Sequence, residues 1–318
     1  MLRYSAIRIL LLIPILLCVT FIIYGLMDLA PGTIVDTMIT DEMTQEDIEL
    51  LRSKYDLDKP MIVRYGKYIW NLMHGDLGSS QITGLSVWSQ FSARWPNTLW
   101  LAVFSMIFGV CLAIPCGIFA AKHTGTIWDN ITTAFAMIGL SMPNFWLGLM
   151  LLTWFSLKIK LFPAAYDGTW KSFVLPVVAN GFAMMASITR QTRSSILDVS
   201  RQDFLRTARA KGVPERQVTL RHELGNAWIP IITQIGMMLG MTLGGSAVIE
   251  AVYSWPGVGY MMVEAIGRRD TNMACGCVIL TASMYTMVLL LVDLIYAMID
   301  PRIRSAYSRK KKRKVVKA

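Results

Sequence analysis

The chain has 318 residues, 54% of them apolar and only 16% charged, with 31 Lys and Arg against 21 Asp and Glu and a net charge of +10. A soluble domain carries about a quarter charged residues and scatters them. Here they are segregated, which excludes a soluble enzyme, a disordered chain and a disulfide scaffold.

A short basic lead with Arg3 and Arg8 opens the chain, and charge-free runs follow at Ile9–Met27, Trp95–Ala121, Asn130–Leu157, Ser172–Thr189, Leu224–Ile249 and Thr271–Val292. Each is 18 to 28 residues long, enough for a helix to cross a bilayer core. They predict an all-α membrane protein with six spans. The first is read as an uncleaved span, because it runs into Asp28-Leu-Ala-Pro-Gly32 without a small-x-small cleavage site. Six spans put both termini on one side. If that side is the cytoplasm, the inner segments carry 20 Lys and Arg, against five outside once the long first loop is set aside. Both termini are therefore expected inside, and the positive balance is chiefly a topology signal.

The first outer segment is too long for a bare connector. Thr44-Gln-Glu-Asp47 reads as a capping box opening a helix through about Tyr55, with Ile48 and Leu51 apolar. Asp58-Lys-Pro60 breaks the chain, and Val63–Met73 predicts an amphipathic helix with Tyr65, Ile69 and Leu72 on one side, ended by Gly75-Asp-Leu-Gly78. The segment is expected to form a small cap on the outer face.

Pro96, Pro115, Pro143 and Pro176 fall in or beside the second to fourth spans, where each kink needs neighbours to satisfy the freed carbonyl. Gly139, Ser141 and Gly148 predict close helix approach, and Gly236, Gly240 and Gly244 form a smooth stripe, either a packing seam or a pore-side surface. Only Asp293 and, near the edges, Asp28 and Glu250 are acidic candidates for the bilayer, so no ion relay is legible and the energy for any transport is expected from a partner. Cys18, Cys111, Cys116, Cys275 and Cys277 lie in apolar runs and read as packing residues; Cys275-x-Cys277 supplies two ligands, too few for a zinc site, and no metal site or catalytic residue is predicted.

Between the fourth and fifth spans, Asp203 suits a helix start, Phe204, Ala208 and Lys211 share turn spacing, and Gly212 with Pro214 beyond it marks the stop. This short basic helix is either a surface helix on anionic lipid or a docking helix for another protein. Its residues carry a resemblance. Arg206-Thr-Ala-Arg-Ala-Lys-Gly212, followed by His222-Glu-Leu-Gly-Asn-Ala-Trp-Ile-Pro230, is similar to the EAA loop of binding-protein-dependent ABC transporter permeases, closest to the dipeptide/oligopeptide/nickel subfamily. Arg206 and Thr207 stand where the general pattern has Glu-Ala, Ala208 and Gly212 match it, and Leu224 alone keeps the distal part. Leu29-Ala-Pro-Gly32, Gly75-Asp-Leu-Gly78, Arg94-x-Pro-x-Thr98-Leu99, Ser141-x-Pro-x-Phe-Trp-Leu-Gly148, Leu161-Phe-Pro-Ala164, Arg190-x-x-Arg-Ser-Ser195, Glu250-x-x-Tyr-x-Trp-Pro-Gly-Val-Gly259 and Asp300-Pro-Arg-Ile-Arg304 extend the similarity through almost the whole chain.

The resemblance implies an ABC importer permease fold and the first of two homologous permease subunits in a multi-pass complex of the bacterial inner membrane. It implies two cytoplasmic ATPases that bind ATP and Mg, so that this chain is no enzyme and holds no cofactor, and an extracytoplasmic binding protein that delivers cargo. It also implies a coupling helix made of Arg206, Thr207, Ala208, Lys211 and Gly212, flanked by Phe204 and Arg209. The expected segments are a basic lead and first helix (1–30), an extracytoplasmic segment with short helices (31–94), a five-helix core (95–304) with the coupling loop at 198–226, and a basic tail (305–318).

Tyr253–Val263 is apolar but too short to span. With Tyr253, Trp255, Pro256, Gly257 and Val258 it is either an external gate or binding-protein contact, or an interface-anchored loop. The Arg309–Lys314 run is expected to lie on lipid headgroups and not on nucleic acid. Peptide is the favoured cargo, because few ionisable groups and 21 Met suit a wide, tolerant path and His74, His123 and His222 lie in no span to ligate nickel; nickel chelates, with ligands residing on the binding protein, or another small solute are the alternative. The rival of another class, a stand-alone multi-span enzyme or receptor, lacks an intramembrane catalytic constellation and a phosphate-binding Gly-x-x-x-x-Gly-Lys loop.

Overall fold

The computed structural model describes residues 2–39 and 43–299, with side chains described at 10–39, 43–244 and 246–292. The Asp300–Arg304 motif, the basic tail, and the side chains of Arg3, Arg8 and Asp293 lie outside the described residues. Among those described, helices predominate and the only strand-like pairing is a single bridge between Ser79 and Ser86.

The helices are α1 (Leu2–Leu29), α2 (Gln45–Lys54), α3 (Met61–Met73), α4 (Val87–Lys122), α5 (Ile127–Ser141), α6 (Asn144–Leu151), α7 (Lys171–Ser200), α8 (Asp203–Ala210), α9 (Glu215–Gln217), α10 (Leu224–Gly245), α11 (Ala247–Val252), α12 (Val258–Gly267) and α13 (Thr271–Ile299). α6 continues as a π-helical turn over Leu152–Lys158, and a second π turn, Val218–Glu223, joins α9 to α10. Five helical stretches are long and apolar enough to cross a membrane.

The third apolar run, expected as one span kinked at Pro143, is more sharply broken than a kink. It folds as α5 and α6, bent by 101°. The cause is Pro143, which has no N–H to continue the ladder and pushes Met142 to an extended conformation (φ −79°, ψ 126°). Counted together, the bent pair makes the sixth span.

The described residues fall into two compact units, one within 2–98 and 256–287 and the other within 99–255 and 288–299. In the first, α3 packs against α1. Tyr24, Tyr68, Cys275 and Ile279 form one buried cluster, flanked by Tyr65, Ile69 and Leu72, and Val87, Phe91, Val258, Met261 and Cys277 belong to another. Tyr65 Oη donates to the Leu17 carbonyl at 2.8 Å, and Arg64 pairs with Asp28. The expected capping box is present: the Asp47 N–H donates to Thr44 Oγ1, and the Thr44 N–H donates back to Asp47 Oδ2. Beyond α2, Lys59 and Lys67 beside Asp56 hold its carboxyl at about 2. Ser80 Oγ donates to buried Asp270, which in turn accepts the Met273 N–H and so caps α13.

In the second unit α7 is central. Two thirds of its most apolar window is buried, against a third for α4 and α10. It therefore tolerates polar residues that would be costly in lipid, including Asn180, Ser187, Thr189, Thr192 and Ser195. Glycines set the approach of α4: a Cβ on Gly117 would meet Thr192 Cβ at 2.5 Å, and one on Gly181 the Ser105 carbonyl at 2.7 Å. Gly139 and Gly148 lie at close approaches too, to Ala186 and Ile249. In the α10 stripe Gly236 and Gly240 are buried while Gly244 is exposed, with open space where its Cβ would go.

Candidate functional site

The α7–α10 connection is built from its caps. Gln202, extended at φ −81° and ψ 143°, precedes α8, which runs for eight residues. At the far end Gly212 adopts φ +75°, the Gly212 N–H donates to the Arg209 carbonyl and the Val213 N–H to that of Ala208. That paired bonding is a Schellman stop, and the left-handed position at its centre favours glycine. Pro214 then opens α9.

Of the expected coupling residues, Phe204, Arg206, Thr207, Arg209, Lys211 and Gly212 are exposed and Ala208 is half-buried. Arg206 is 85% exposed and Phe204 42%. α8 has one buried residue, Leu205, which is fully inaccessible. The helix thus has an anchoring side at Leu205 and a free side carrying an aromatic ring, cations and Thr207.

Arg209, read from the sequence as a flanking contact, turns back into the protein. Its Nε donates to Glu215 Oε2 at 3.1 Å, and its Nη2 to Glu215 Oε1 at 3.0 Å and Glu223 Oε1 at 3.2 Å. Lys122, the last residue of α4, lies 3.0 Å from Glu215 Oε1 and 2.7 Å from Glu223 Oε2. Glu215's carboxylate and then Glu223's hold the guanidinium above its ordinary pKa, so Arg209 stays charged. Nearby in the same unit, Arg193 on α7 forks onto buried Asp129 on α5 at 2.6 and 2.7 Å, geometry a lysine cannot reproduce.

Sequence reading missed Glu215, Glu223 and Asp129 and counted Lys122 only as topology. Lys122 and Glu215 are 93 positions apart, and Arg193 and Asp129 are 64 apart, so no local spacing announces them.

The 253–258 segment falls at the passage between the two units. In the second, Tyr253 and Trp255 are 2% and 1% exposed. Tyr253 Oη donates to the Gly148 carbonyl at 2.8 Å, and the Trp255 ring meets Tyr166 and Phe173 edge-on at 4.8 and 4.4 Å. In the first, the Pro256 carbonyl accepts from Asn97 Nδ2, Gly257 is buried, and the N–H of buried Val258 donates to Thr98 Oγ1. Only Ser254, at φ +49°, is exposed among residues 253–258. These side chains are packing posts in this conformation.

Residues 113–305 match the family described as "binding-protein-dependent transport system inner membrane component". The dipeptide transport system permease protein DppB of Escherichia coli strain K12 is 36% identical over 336 residues, covering 96% of this chain and 99% of that protein. The glutathione transport system permease protein GsiC of Salmonella paratyphi A is 37% identical over 304 residues, with the same coverage. Among solved structures, a chain of the MetNI methionine ABC transporter in an inward-facing conformation superposes with a TM-score of 0.57 at 17% identity, covering 66% of this chain and 96% of that one; at that identity the likeness speaks to the fold. Taken with the apolar helices, these similarities establish that the chain belongs to the family of binding-protein-dependent transport system inner membrane components, the permease subunits of ABC importers.

Proposed function

We propose that this permease imports peptides across the inner membrane as the first of two homologous permease subunits. The observation that carries the cargo assignment is the nearly end-to-end similarity to permeases named for dipeptide and for glutathione, both peptidic solutes. Both termini and α8 face the cytoplasm in this reading, consistent with the excess of Lys and Arg in those segments. The free side of α8, with Phe204, Arg206, Thr207 and Lys211, seats on one of two ATPases, which bind ATP and Mg, while Gly212 fixes where the helix stops. An extracytoplasmic binding protein delivers the peptide. The burial of Tyr253, Trp255 and Val258 speaks against a binding-protein contact made through these side chains.

Cells lacking only this chain test the cargo. Uptake of labelled di- and tripeptides is expected to fall to background and return with the intact gene, while nickel uptake is unchanged. Loss of nickel uptake with normal peptide uptake contradicts the reading and favours the nickel-chelate alternative.

A further inference from the structure

We infer that Glu223, gripped by Lys122 and Arg209, is the positioning residue that makes α8 move as one body with the adjoining ends of α4 and α10. The inference rests on the reading of α8 as the coupling helix and concerns how its motion reaches the spans.

An eight-residue helix is too short to hold itself together in water, so its stiffness must be borrowed. α8 is fastened at two points. Leu205 buries an apolar side chain in its first turn, and Arg209 places its guanidinium on two carboxylates in its last. Without the second fastening α8 would pivot about Leu205, and a push on its free face would be spent on that pivot.

The two carboxylates differ. Glu215 is 57% exposed, where ion pairs are weak. Glu223 has no exposed surface, and each of its oxygens meets a cation from a different element: Oε1 the Arg209 Nη2 at 3.2 Å, Oε2 the Lys122 Nζ at 2.7 Å. A buried carboxylate held this way cannot release either cation without stranding its own charge. Glu223 also closes the π turn that leads into α10, a helix distortion that recurs at functional sites. Two cations and two carboxylates balance, so the cluster is neutral as a whole, and α4, α8, α9 and the π turn share it.

The test uses the assembled complex with its second permease, ATPases and binding protein in proteoliposomes. ATP hydrolysed per peptide imported is measured and normalised to assembled complex. Glu223→Gln keeps the shape and removes the charge; it is expected to raise ATP per peptide by about 2- to 30-fold, the range over which residues in a coupling network act. Glu215→Gln, on the exposed carboxylate, is expected to raise it less. If Glu223→Gln fails to assemble, the double variant Lys122→Met/Glu223→Gln removes the stranded cation, restores assembly and still shows the raised ratio. A wild-type ratio in either assembled Glu223 variant overturns the inference and leaves Glu223 a stability residue. A spin label at Arg206→Cys gives a cargo-independent readout: it should become more mobile in Glu223→Gln, and unchanged mobility also overturns the inference. Absence of ATP-driven peptide import by the wild-type complex would instead sink the cargo assignment, with the spin-label result still deciding the anchoring.

Discussion

Arg193 and Asp129 show the cost structure of charge in this protein. Asp129 is 4% exposed, and besides the fork from Arg193 it accepts the Gly125 N–H at 3.1 Å. Removing one member of such a pair leaves the other charge buried and uncompensated, at a cost of about 3–5 kcal/mol for a fully buried pair and toward the lower end here, since the Arg193 side chain is 28% exposed. Arg193→Leu is therefore expected to lower the detergent-solubilised melting temperature by several degrees, and Asp129→Leu/Arg193→Leu to recover most of the loss. A double variant as unstable as the single one would show that the pair acts through its hydrogen bonds to Gly125 and Thr133. None of this was legible at the residue scale. The same signs that announced topology, Lys122 and Arg193 among them, say nothing of which carboxylate they meet when the partner is tens of positions away. Of the five cysteines read as packing residues, Cys275 and Cys277 are buried in the first unit's clusters, whereas Cys18, Cys111 and Cys116 are exposed.

At the scale of elements, local chemistry was readable wherever one residue decides the backbone. The Thr44 box, the Gly212 stop and the amphipathic face of α3 all appear where the sequence puts them. Pro143 was legible as a kink, but its size was not, because a 101° bend depends on what receives α6. α8 is where the two sides of one helix can be separated by experiment. Leu205 is inaccessible, and its truncation to Ala is expected to cost about 2–5 kcal/mol, as for a core leucine. Phe204→Ala, on the exposed side, should change the permease's own stability by less than about 0.5 kcal/mol yet reduce co-elution of the ATPases in size-exclusion chromatography. Equal losses of stability in both variants would mean that Phe204 is an anchor and not a docking residue.

For the molecule as a whole, the segregation of charge carried the most information. Five of the six apolar runs became long helices and the third a bent pair, and the exposed belt of Trp100, Phe104, Ile107, Leu112 and Phe119 on α4 is what a surface facing lipid or another apolar helix requires. Composition could not show that α7, the most polar of the long helices, occupies the centre of its unit: burial is a property of the packed bundle. Glycines that set that packing, Gly117 and Gly181, look in sequence like any others in a span. At this scale the claim is that work done by partner ATPases enters the permease through α8 and depends on that helix stopping where Gly212 stops it. The direct measurement is binding-protein-stimulated ATP hydrolysis and peptide uptake, side by side, in reconstituted complex carrying Gly212→Val. Valine is strained at φ +75° although nothing lies within 4 Å of its Cβ position, so the change acts on the backbone and not on packing. Uptake is expected near background while the complex stays assembled and ATP hydrolysis persists without stimulation by loaded binding protein; wild-type uptake with wild-type stimulation would contradict the claim.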